Sequence, residues 1–296
     1  MKRISSLFAV VLFAAGFWSP AASARDLPTL ENFLAALPSQ AVPAPLPPYR
    51  VQPQYLAQAT ALSGEKLFQY LHTATEYPPA GTGTDYLKAK RYMFSLADNT
   101  GCNGRPGVMA FYSQVCVPGN SDSGASYKEP GDANGDGLHD SDGMNAEHSW
   151  PQGFFNKAAP MKSDLHHIFP TFIMVNGMRG SEPFGEVSDP TYSTDSGSML
   201  GSEGFEPCDA VKGNIARALF YFFTRYHDRN IKDGMDYRDF WAGRVEMFMR
   251  WNQQDPPDAA ERRRNDLIEA FQGNRNPFVD EPRLAEKIGV KVFQSH

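Results

Sequence analysis

A run of large apolar side chains at helical spacing is the strongest structural constraint in this sequence. It lies in residues 213–228, GNIARALFYFFTRYHD. Its apolar positions are Ile215, Leu219, Phe222, Phe223 and Tyr226. This pattern predicts an amphipathic helix of about four turns. Such a helix must bury its apolar side, so we expect it to organise the core of the domain.

Two more segments after this run predict helices, whereas the earlier part of the chain predicts strands. The helical segments are DYRDFWAGRVEMFMRWNQ and DAAERRRNDLIEAFQG, which Pro256–Pro257 separates and Gly273 ends. The segments RYMFSLA and GVMAFYSQVCV are rich in β-branched and aromatic residues, and a Gly/Asn/Pro cluster between them suits a hairpin-like loop. Strands early and helices late predict an α+β fold.

The first residues have the pattern of a secretory signal peptide. Lys2 and Arg3 precede an apolar run from Leu7 to Trp18, and Ala22-Ser23-Ala24 offers small residues at a cleavage spacing. The run is too short to span a bilayer. We therefore predict a signal peptide over residues 1–24, and a secreted or periplasmic protein with no membrane partner.

The remaining chain divides by composition. Residues 25–61 are rich in proline and predict an extended N-terminal segment. Residues 62–296 then predict a single domain, in which residues 118–143 have almost no apolar content and are expected to be loop. Three cysteines follow the predicted signal peptide: Cys102, Cys116 and Cys208. A Cys102–Cys116 disulfide would close a short loop, although sequence alone does not fix the connectivity, and Cys208 is then a buried thiol.

The charge balance limits how the protein can hold a polyanion. The formal charge is −6, and loss of Lys2 and Arg3 with the signal peptide makes it −8. This argues against binding nucleic acid by bulk positive charge. A polyanionic substrate would need a local cationic groove or a bound metal ion.

Glu147 and His148 stand side by side in NAEHSWPQGFF, next to apolar residues that look ready to be buried. A buried charge needs a partner or a metal ion. Phosphodiester hydrolysis needs a base for water and a cation for the developing negative charge. His148 suits the base, and Mg²⁺ (or Mn²⁺) would need few protein ligands, such as Glu147 and Asn176. Arg179 lies three residues beyond Asn176, where it can hold a phosphate oxygen.

Less specific interpretations compete with this hypothesis. A Glu-His pair alone is more often a structural ion pair. His166 and His167 in SDLHHIFP suggest zinc, but no cysteine pair or third histidine stands at ligand spacing. His167 is better interpreted as a hydrogen-bonded core histidine, and Asp164 or His166 as a residue that orients the site.

Several ordered motifs together resemble the bacterial endonuclease I family, over about residues 62–282. They are NAEHSWPQ, SDLHHIFP, VNGMRG, GNIARALFYF and WNQQDPPDAAERRRNDLIEAFQGNRNPFVD. The resemblance implies a secreted or periplasmic nuclease with a ββα-metal (His-Me finger) core. It implies that His148 deprotonates the attacking water and that Glu147 and Asn176 bind one Mg²⁺-type ion. It also implies cleavage of DNA, and often of RNA, with little sequence preference and with 5′-phosphate products.

One departure from the family concerns an arginine that stabilises the transition state in some members. Between the Glu-His and DLHH motifs this sequence offers only Lys157 and Lys162 as cations. Arg179 and Arg217 are the alternative candidates for contact with the substrate.

A second motif typical of metal binding, residues 132–143, precedes the Glu-His motif. DANGDGLHD matches much of a Ca²⁺-binding loop, although Gly143 stands where a bidentate Glu is usual. The predicted ligands are Asp132, Asn134, Asp136, the carbonyl of Leu138, and Asp140. The alternative is an acidic, solvated loop.

Three functions are therefore weighed. The first is a metal-dependent endonuclease, which we expect to act as a monomer. The second is a non-catalytic, calcium-stabilised extracellular binding module on the same scaffold, and the third is a phosphodiesterase that acts on another polyanion. Cleavage that is lost in EDTA would separate the first from the second.

Overall fold

The computed structural model describes residues 53–76, 85–132 and 142–296. The predicted signal peptide, residues 25–52 and most of the predicted calcium loop lie outside these described residues. Within them, no helix is long and apolar enough to cross a membrane.

The core is built around the helix that the apolar run predicted. Helix Lys212–Tyr226 is buried along nearly its whole length, because other elements cover it on several sides. It packs against helix Gly64–Glu76 and helix Val245–Gln254. Trp150 and Trp241 stack on its Phe222 and Phe223 rings. Stacked aromatic rings of this kind add packing energy to the burial of apolar area.

In chain order, we number the helices from α1 to α10. They are α1 (Pro53–Ala61), α2 (Gly64–Glu76), α3 (Tyr86–Tyr92), α4 (Ile173–Arg179), α5 (Lys212–Tyr226), α6 (Val245–Gln254), α7 (Ala259–Gln272), α8 (Pro277–Asp280), α9 (Leu284–Ile288) and α10 (Val290–Ser295). One-turn π segments, Met93–Ala97 and Arg238–Ala242, adjoin α3 and precede α6. The first and third of the predicted late helices are confirmed, and the third ends at Gly273, which adopts a left-handed conformation with φ of 86°. The second, predicted over residues 236–253, is divided at Gly243 into the π segment and α6.

The strands form three small antiparallel sheets. They are β1 (Gly107–Ala110), β2 (Val115–Pro118), β3 (Met144–His148), β4 (Ile168–Phe172), β5 (Tyr192–Ser193), β6 (Met199–Gly201) and β7 (Gly204–Glu206). Strand β1 pairs with β2, β3 with β4, and β6 lies between β5 and β7. Helix α4 follows β4 directly, so β3, β4 and α4 form a ββα unit. The predicted α+β fold is confirmed, and this unit agrees with the core that the family resemblance implied.

The structure differs from the prediction in the segment before the first hairpin. RYMFSLA is helical, at the end of α3 and in its π turn, where Met93, Phe94 and Ala97 are buried. Asp85 caps α3 by accepting hydrogen bonds from two main-chain N–H groups. The predicted hairpin lies instead inside GVMAFYSQVCV, whose Gln114 (φ of 52°) helps the chain to reverse. Residues 53–61 are also helical, with Pro53 at the first position, and are not extended as predicted.

The predicted disulfide is confirmed. Cys102 and Cys116 are bonded, with a Cα–Cα distance of 5.7 Å, and Cys208 is a buried free thiol. The bond links the loop before β1 to strand β2. Gly107 lies so close to the Cys102 sulfur that a side chain there would overlap it.

Replacement of both disulfide cysteines should destabilise the fold. The bond joins residues 14 apart in sequence, and a loop of that size contributes about 3 kcal/mol to the free energy of unfolding. Urea unfolding of Cys102→Ser/Cys116→Ser should show this loss. A reducing agent should lower the free energy of unfolding of the wild type by the same amount and leave that of the double variant unchanged. Equal stability of the oxidised wild type and the variant would contradict the prediction.

Candidate active site

One cleft contains the three residues that the sequence singled out. Glu147, His148 and Asn176 all line a cleft of about 400 Å³. Glu147 and His148 are the last two residues of β3, and both side chains line the cleft. Asn176 enters from α4. The cleft is also lined by Tyr86, Lys90, Asn145, Gln152 and Ser181.

Glu147 is held as a buried carboxylate. It is 2% exposed, and its Oε1 accepts a hydrogen bond of 2.8 Å from the Tyr112 hydroxyl. Arg179 Nε lies 3.4 Å from the same oxygen. Burial raises the pKa of Glu147, against the opposing effects of Arg179 and Tyr112. Oε2 accepts no hydrogen bond from the described residues, which leaves this oxygen for a cation.

Asn176 is oriented by a neighbour on β3. Its Nδ2 donates to Asn145 Oδ1 at 2.5 Å, so its own Oδ1 remains an acceptor. The start of α4 is anchored by Asp142, whose Oδ2 accepts from the Met174 N–H at 3.0 Å. The amide oxygen of Asn176 and the carboxylate oxygen of Glu147 are both hard oxygen donors. This pair of donors fits Mg²⁺ or Mn²⁺ and would leave most of the ion's sites to water.

His148 is nearly buried and in contact with other rings. Its Nε2 lies 3.0 Å from the carbonyl oxygen of Lys162. A carbonyl only accepts, so this contact favours the tautomer with hydrogen on Nε2 and leaves a lone pair on Nδ1. Tyr86 and Phe155 pack beside the ring. Burial lowers the pKa of His148 to about 3, with a further contribution from His167, so the imidazole is neutral at neutral pH.

Arg179, the last residue of α4, links that helix to the end of β3. It is fully buried, and its guanidinium donates to the carbonyl oxygens of His148 at 3.5 Å and Ser149 at 2.9 Å. The guanidinium also lies 4.5 Å over the Phe184 ring. The predicted contact of Arg179 with phosphate stays a prediction, because its observed partners are protein groups.

The prediction for Arg217 needs correction. Arg217 is 0% exposed and does not line the cleft. Its Nε and Nη2 donate to the two carboxylate oxygens of Glu261, and its Nη1 donates to Asn252 and to the carbonyl of Asp255. A planar guanidinium paired in this way links α5 to α6 and α7. It is a structural ion pair and not a substrate ligand.

Asp164 does not line the cleft and is the centre of a buried polar network. Its Oδ2 accepts from Tyr221, Tyr226 and Arg225, at 2.8, 2.8 and 2.7 Å. Its Oδ1 accepts from Gln272 and from the His166 N–H. Burial raises the pKa of this carboxyl, but Arg225 and the other donors outweigh that effect and hold the pKa well below its usual range.

His166 and His167 follow Asp164 as neutral core histidines. His167 Nε2 lies 2.7 Å from the carbonyl of Met161, and His166 Nε2 lies 2.9 Å from that of Asn274. Both are buried. The predicted hydrogen-bonded core histidine is confirmed at residue 167.

His166 and His167 should make the free energy of unfolding depend on pH. Burial lowers the pKa of His166 to about 3 and that of His167 to about 4, from 6.5. At pH values between these folded-state pKa values and the unfolded-state value of 6.5, the unfolded chain binds more protons than the folded chain. The free energy of unfolding is therefore at its full value above the unfolded pKa and falls as pH falls, by up to about 1.4 kcal/mol per pH unit for each histidine. Urea unfolding from neutral to mildly acid pH should show this slope. His167→Gln should reduce it, and an unchanged slope would contradict the assignment.

Some residues that line the cleft, or that bond to a residue lining it, were not predicted. Asn145 lies two residues before Glu147 on β3, and the strand period of two puts both on one face, so this pattern could have revealed it. Tyr112 comes from the first hairpin and Lys90 from α3. No local pattern in the sequence connects either of them to Glu147.

The predicted calcium site is largely outside the described residues. Asn134, Asp136, Leu138 and Asp140 are not described, and only Asp132 of the predicted ligands is. Calcium binding there stays a prediction.

Comparison with known proteins supports the family that the sequence motifs resemble. The family model of endonuclease I matches residues 82–283. The extracellular ribonuclease of Bacillus subtilis (strain 168) is 30% identical over 296 residues, which cover 94% of this chain and 95% of that protein.

Two further relatives match over shorter stretches. The extracellular ribonuclease of Bacillus amyloliquefaciens is 36% identical over 154 residues, or 49% of this chain and 53% of that protein. The periplasmic deoxyribonuclease of Aeromonas hydrophila is 32% identical over 130 residues, or 43% and 49%. These two matches thus span about half the length of each relative. The predicted family and the predicted extracellular or periplasmic location are confirmed, and the chain belongs to the endonuclease I family.

Proposed function

We propose that the protein is an exported, divalent-metal-dependent endonuclease that hydrolyses phosphodiester bonds of DNA and RNA with little sequence preference. The observation that carries this proposal is the meeting of Glu147, His148 and Asn176 in one cleft. Family membership supports the reaction class, and relatives named ribonuclease and deoxyribonuclease support both substrates.

Glu147 and Asn176 would hold the metal ion, as Mg²⁺ or Mn²⁺. When bound, such an ion neutralises negative charge on the phosphate and on the leaving oxygen. Tyr112 and Arg179 fix Glu147, and Asn145 fixes Asn176. These contacts hold the two ligand oxygens in position before an ion binds. Binding of the ion then costs less conformational entropy.

His148 would take the proton from the attacking water. The carbonyl of Lys162 fixes hydrogen on Nε2, so Nδ1 is the nitrogen that accepts. The neutral ring in the free protein has its lone pair available. A phosphodiester in the cleft adds negative charge beside the ring, which raises the pKa of His148 towards the range in which a general base is effective.

Positive charge for the substrate would come from two lysines beside the histidine. Lys90 Nζ lies 5.0 Å and Lys162 Nζ 4.9 Å from the centroid of the Tyr86 ring, which itself packs on His148. Lys90 lines the cleft, and both lysines are partly exposed. We place the phosphate contacts on these lysines, because Arg217 is buried elsewhere and Arg179 is bonded to main-chain carbonyls.

Replacing these lysines should weaken substrate binding more than it slows the chemical step. Lys90→Met and Lys162→Met should each raise KM. Each should also remove up to one phosphate contact, which reduces the slope of log K for DNA binding against log salt concentration by about 0.9. Lys88→Met is a matched control on the same helix, since its side chain is 75% exposed and lies near Asp85. Equal KM values for all three variants would remove the lysines from the substrate site.

Cleavage of plasmid DNA and of a structured RNA tests the proposed function directly. We expect nicking with Mg²⁺ or Mn²⁺, loss in EDTA, and recovery when the metal is restored. End-labelling of the products should find 5′-phosphates. A folded wild type that cuts neither substrate with either metal would reject the nuclease and favour a binding module. Cleavage of neither nucleic acid but of another phosphodiester polyanion would favour the third candidate.

A further inference from the structure

Two histidines and an aspartate lie together where the ends of α2 and α5 meet, and none of them lines the cleft. They are His72 on α2, and His227 and Asp228 just after α5. One ligand atom from each lies within 4.8 Å of the other two. His72 Nε2 is 3.9 Å from Asp228 Oδ2.

The hydrogen bonds of the two histidines use Nδ1 of each ring and leave each Nε2 as the nitrogen that can bind a metal ion. His72 Nδ1 lies 2.9 Å and His227 Nδ1 3.2 Å from one acceptor, the carbonyl oxygen of Thr224. Since a carbonyl only accepts, each Nδ1 carries its hydrogen and each Nε2 carries a lone pair. A histidine that ligates a metal usually donates its other ring N–H to a carbonyl or carboxylate in this way.

Packing holds these rings in position before any ligand is present. The His72 and His227 rings meet edge to face with centroids 4.6 Å apart, and Phe68 packs against His227 at 4.7 Å. The His72 side chain is 14% exposed, whereas that of Asp228 is 50% exposed. The nitrogens are thus semi-enclosed, and the carboxylate side remains open to an incoming ion. The C-terminal ends of the two helices add partial negative charge.

We propose that His72 Nε2, His227 Nε2 and the Asp228 carboxylate form a second metal site, for a Zn²⁺-class transition metal. Two imidazoles and one carboxylate suit Zn²⁺, Cu²⁺ or Ni²⁺ and not Mg²⁺ or Ca²⁺, which prefer oxygen ligands. A tetrahedral Zn²⁺ at about 2.1 Å from each ligand requires separations of roughly 3.4 Å, so the three groups must approach one another slightly. Glu76 Oε1 also lies 3.9 Å from His72 Nε2, but it is closer to Arg229, at 3.6 Å, so we assign the fourth position to water.

Such an ion would join α2 to the end of α5 and stabilise the folded state, since a ligand that binds the folded chain shifts the folding equilibrium towards it. The proposed site has two nitrogen ligands, whereas the proposed metal ligands in the cleft are both oxygens. The two can therefore be titrated independently, and failure of one proposal does not imply failure of the other.

Calorimetric titration of Zn²⁺ into the full chain, purified without a histidine tag, tests the site. Excess Mg²⁺ is kept present so that the cleft ligands are occupied. We expect one Zn²⁺ per chain at this site and a higher Tm when it is bound. His72→Asn and His227→Asn keep a donor for the Thr224 carbonyl but remove the ligand nitrogen. Each should weaken Zn²⁺ binding by more than about tenfold.

His296→Asn is the matched control, because the His296 ring lies 4.8 Å from His227 but bonds to Glu65. It should bind Zn²⁺ as the wild type does. Asp228→Asn, at a half-exposed position, tests the same site if a histidine variant fails to fold, and it should also weaken binding. Absence of Zn²⁺ binding, or equal affinity in the wild type and in the two histidine variants, would overturn the proposal. Mg²⁺-dependent DNA cleavage should be the same in His72→Asn as in the wild type.

Discussion

His148→Ala should lower kcat for DNA cleavage by about 10² to 10⁴ while the protein still binds its metal ion. The ring is the proposed base, and its Nδ1 is left with a lone pair by the contact of Nε2 with the carbonyl of Lys162. Its removal takes away the proton acceptor but neither of the proposed metal ligands. Single-turnover cleavage together with Mn²⁺ titration measures the two effects separately.

Glu147→Ala provides the contrast to that variant. It should weaken Mn²⁺ binding, since it removes the carboxylate that Tyr112 and Arg179 position. If His148→Ala instead lost the metal, or Glu147→Ala bound it with wild-type affinity, the two roles would have to be reassigned.

Asp164→Asn should cost about 3 to 5 kcal/mol of folding free energy. The amide keeps the shape of the carboxylate but removes its charge, which leaves the buried Arg225 without its anionic partner at 2.7 Å. It also replaces an acceptor oxygen by a donor nitrogen, although the groups around Asp164 are donors. Urea unfolding at neutral pH measures the loss.

Asp266→Asn is a suitable control for that measurement. Asp266 also pairs with an arginine, at 2.7 Å, but its side chain is 29% exposed and Arg275 retains Glu269 and Asp280. Because partly exposed pairs contribute little, we expect a cost below about 1 kcal/mol. If Asp164→Asn were no more destabilising than Asp266→Asn, the network would not have the importance we assign to it.

The features that could be predicted from the sequence are those that local patterns encode. Apolar spacing predicted α5, α6 and α7 because one face of each helix must be buried. Glu147, His148 and Asn176 were proposed as site residues because the chemistry of hydrolysis needs such side chains, and because ordered motifs resembled a family. The cleft brings these three together, as predicted.

The errors arose where tertiary packing decides the outcome. RYMFSLA has the composition of a strand, but Met93, Phe94 and Ala97 are buried as parts of a helical turn. Arg217 looked available to a substrate, yet Glu261, 44 residues later, holds its guanidinium in the core. Tyr112 supports Glu147 from 35 residues away. Contacts at such separations depend on the fold and leave no local pattern in the sequence.

Arg179 has a consequence for anyone who wishes to redesign this cleft. The same side chain lies against Glu147 and holds the main chain at His148 and Ser149. Lysine cannot substitute for it, since one ammonium lacks the planar set of donors that reaches several acceptors at once. The proposed metal ligand Glu147 and the proposed base His148 therefore cannot be engineered independently through this position, and libraries that aim to alter one of them should leave codon 179 fixed.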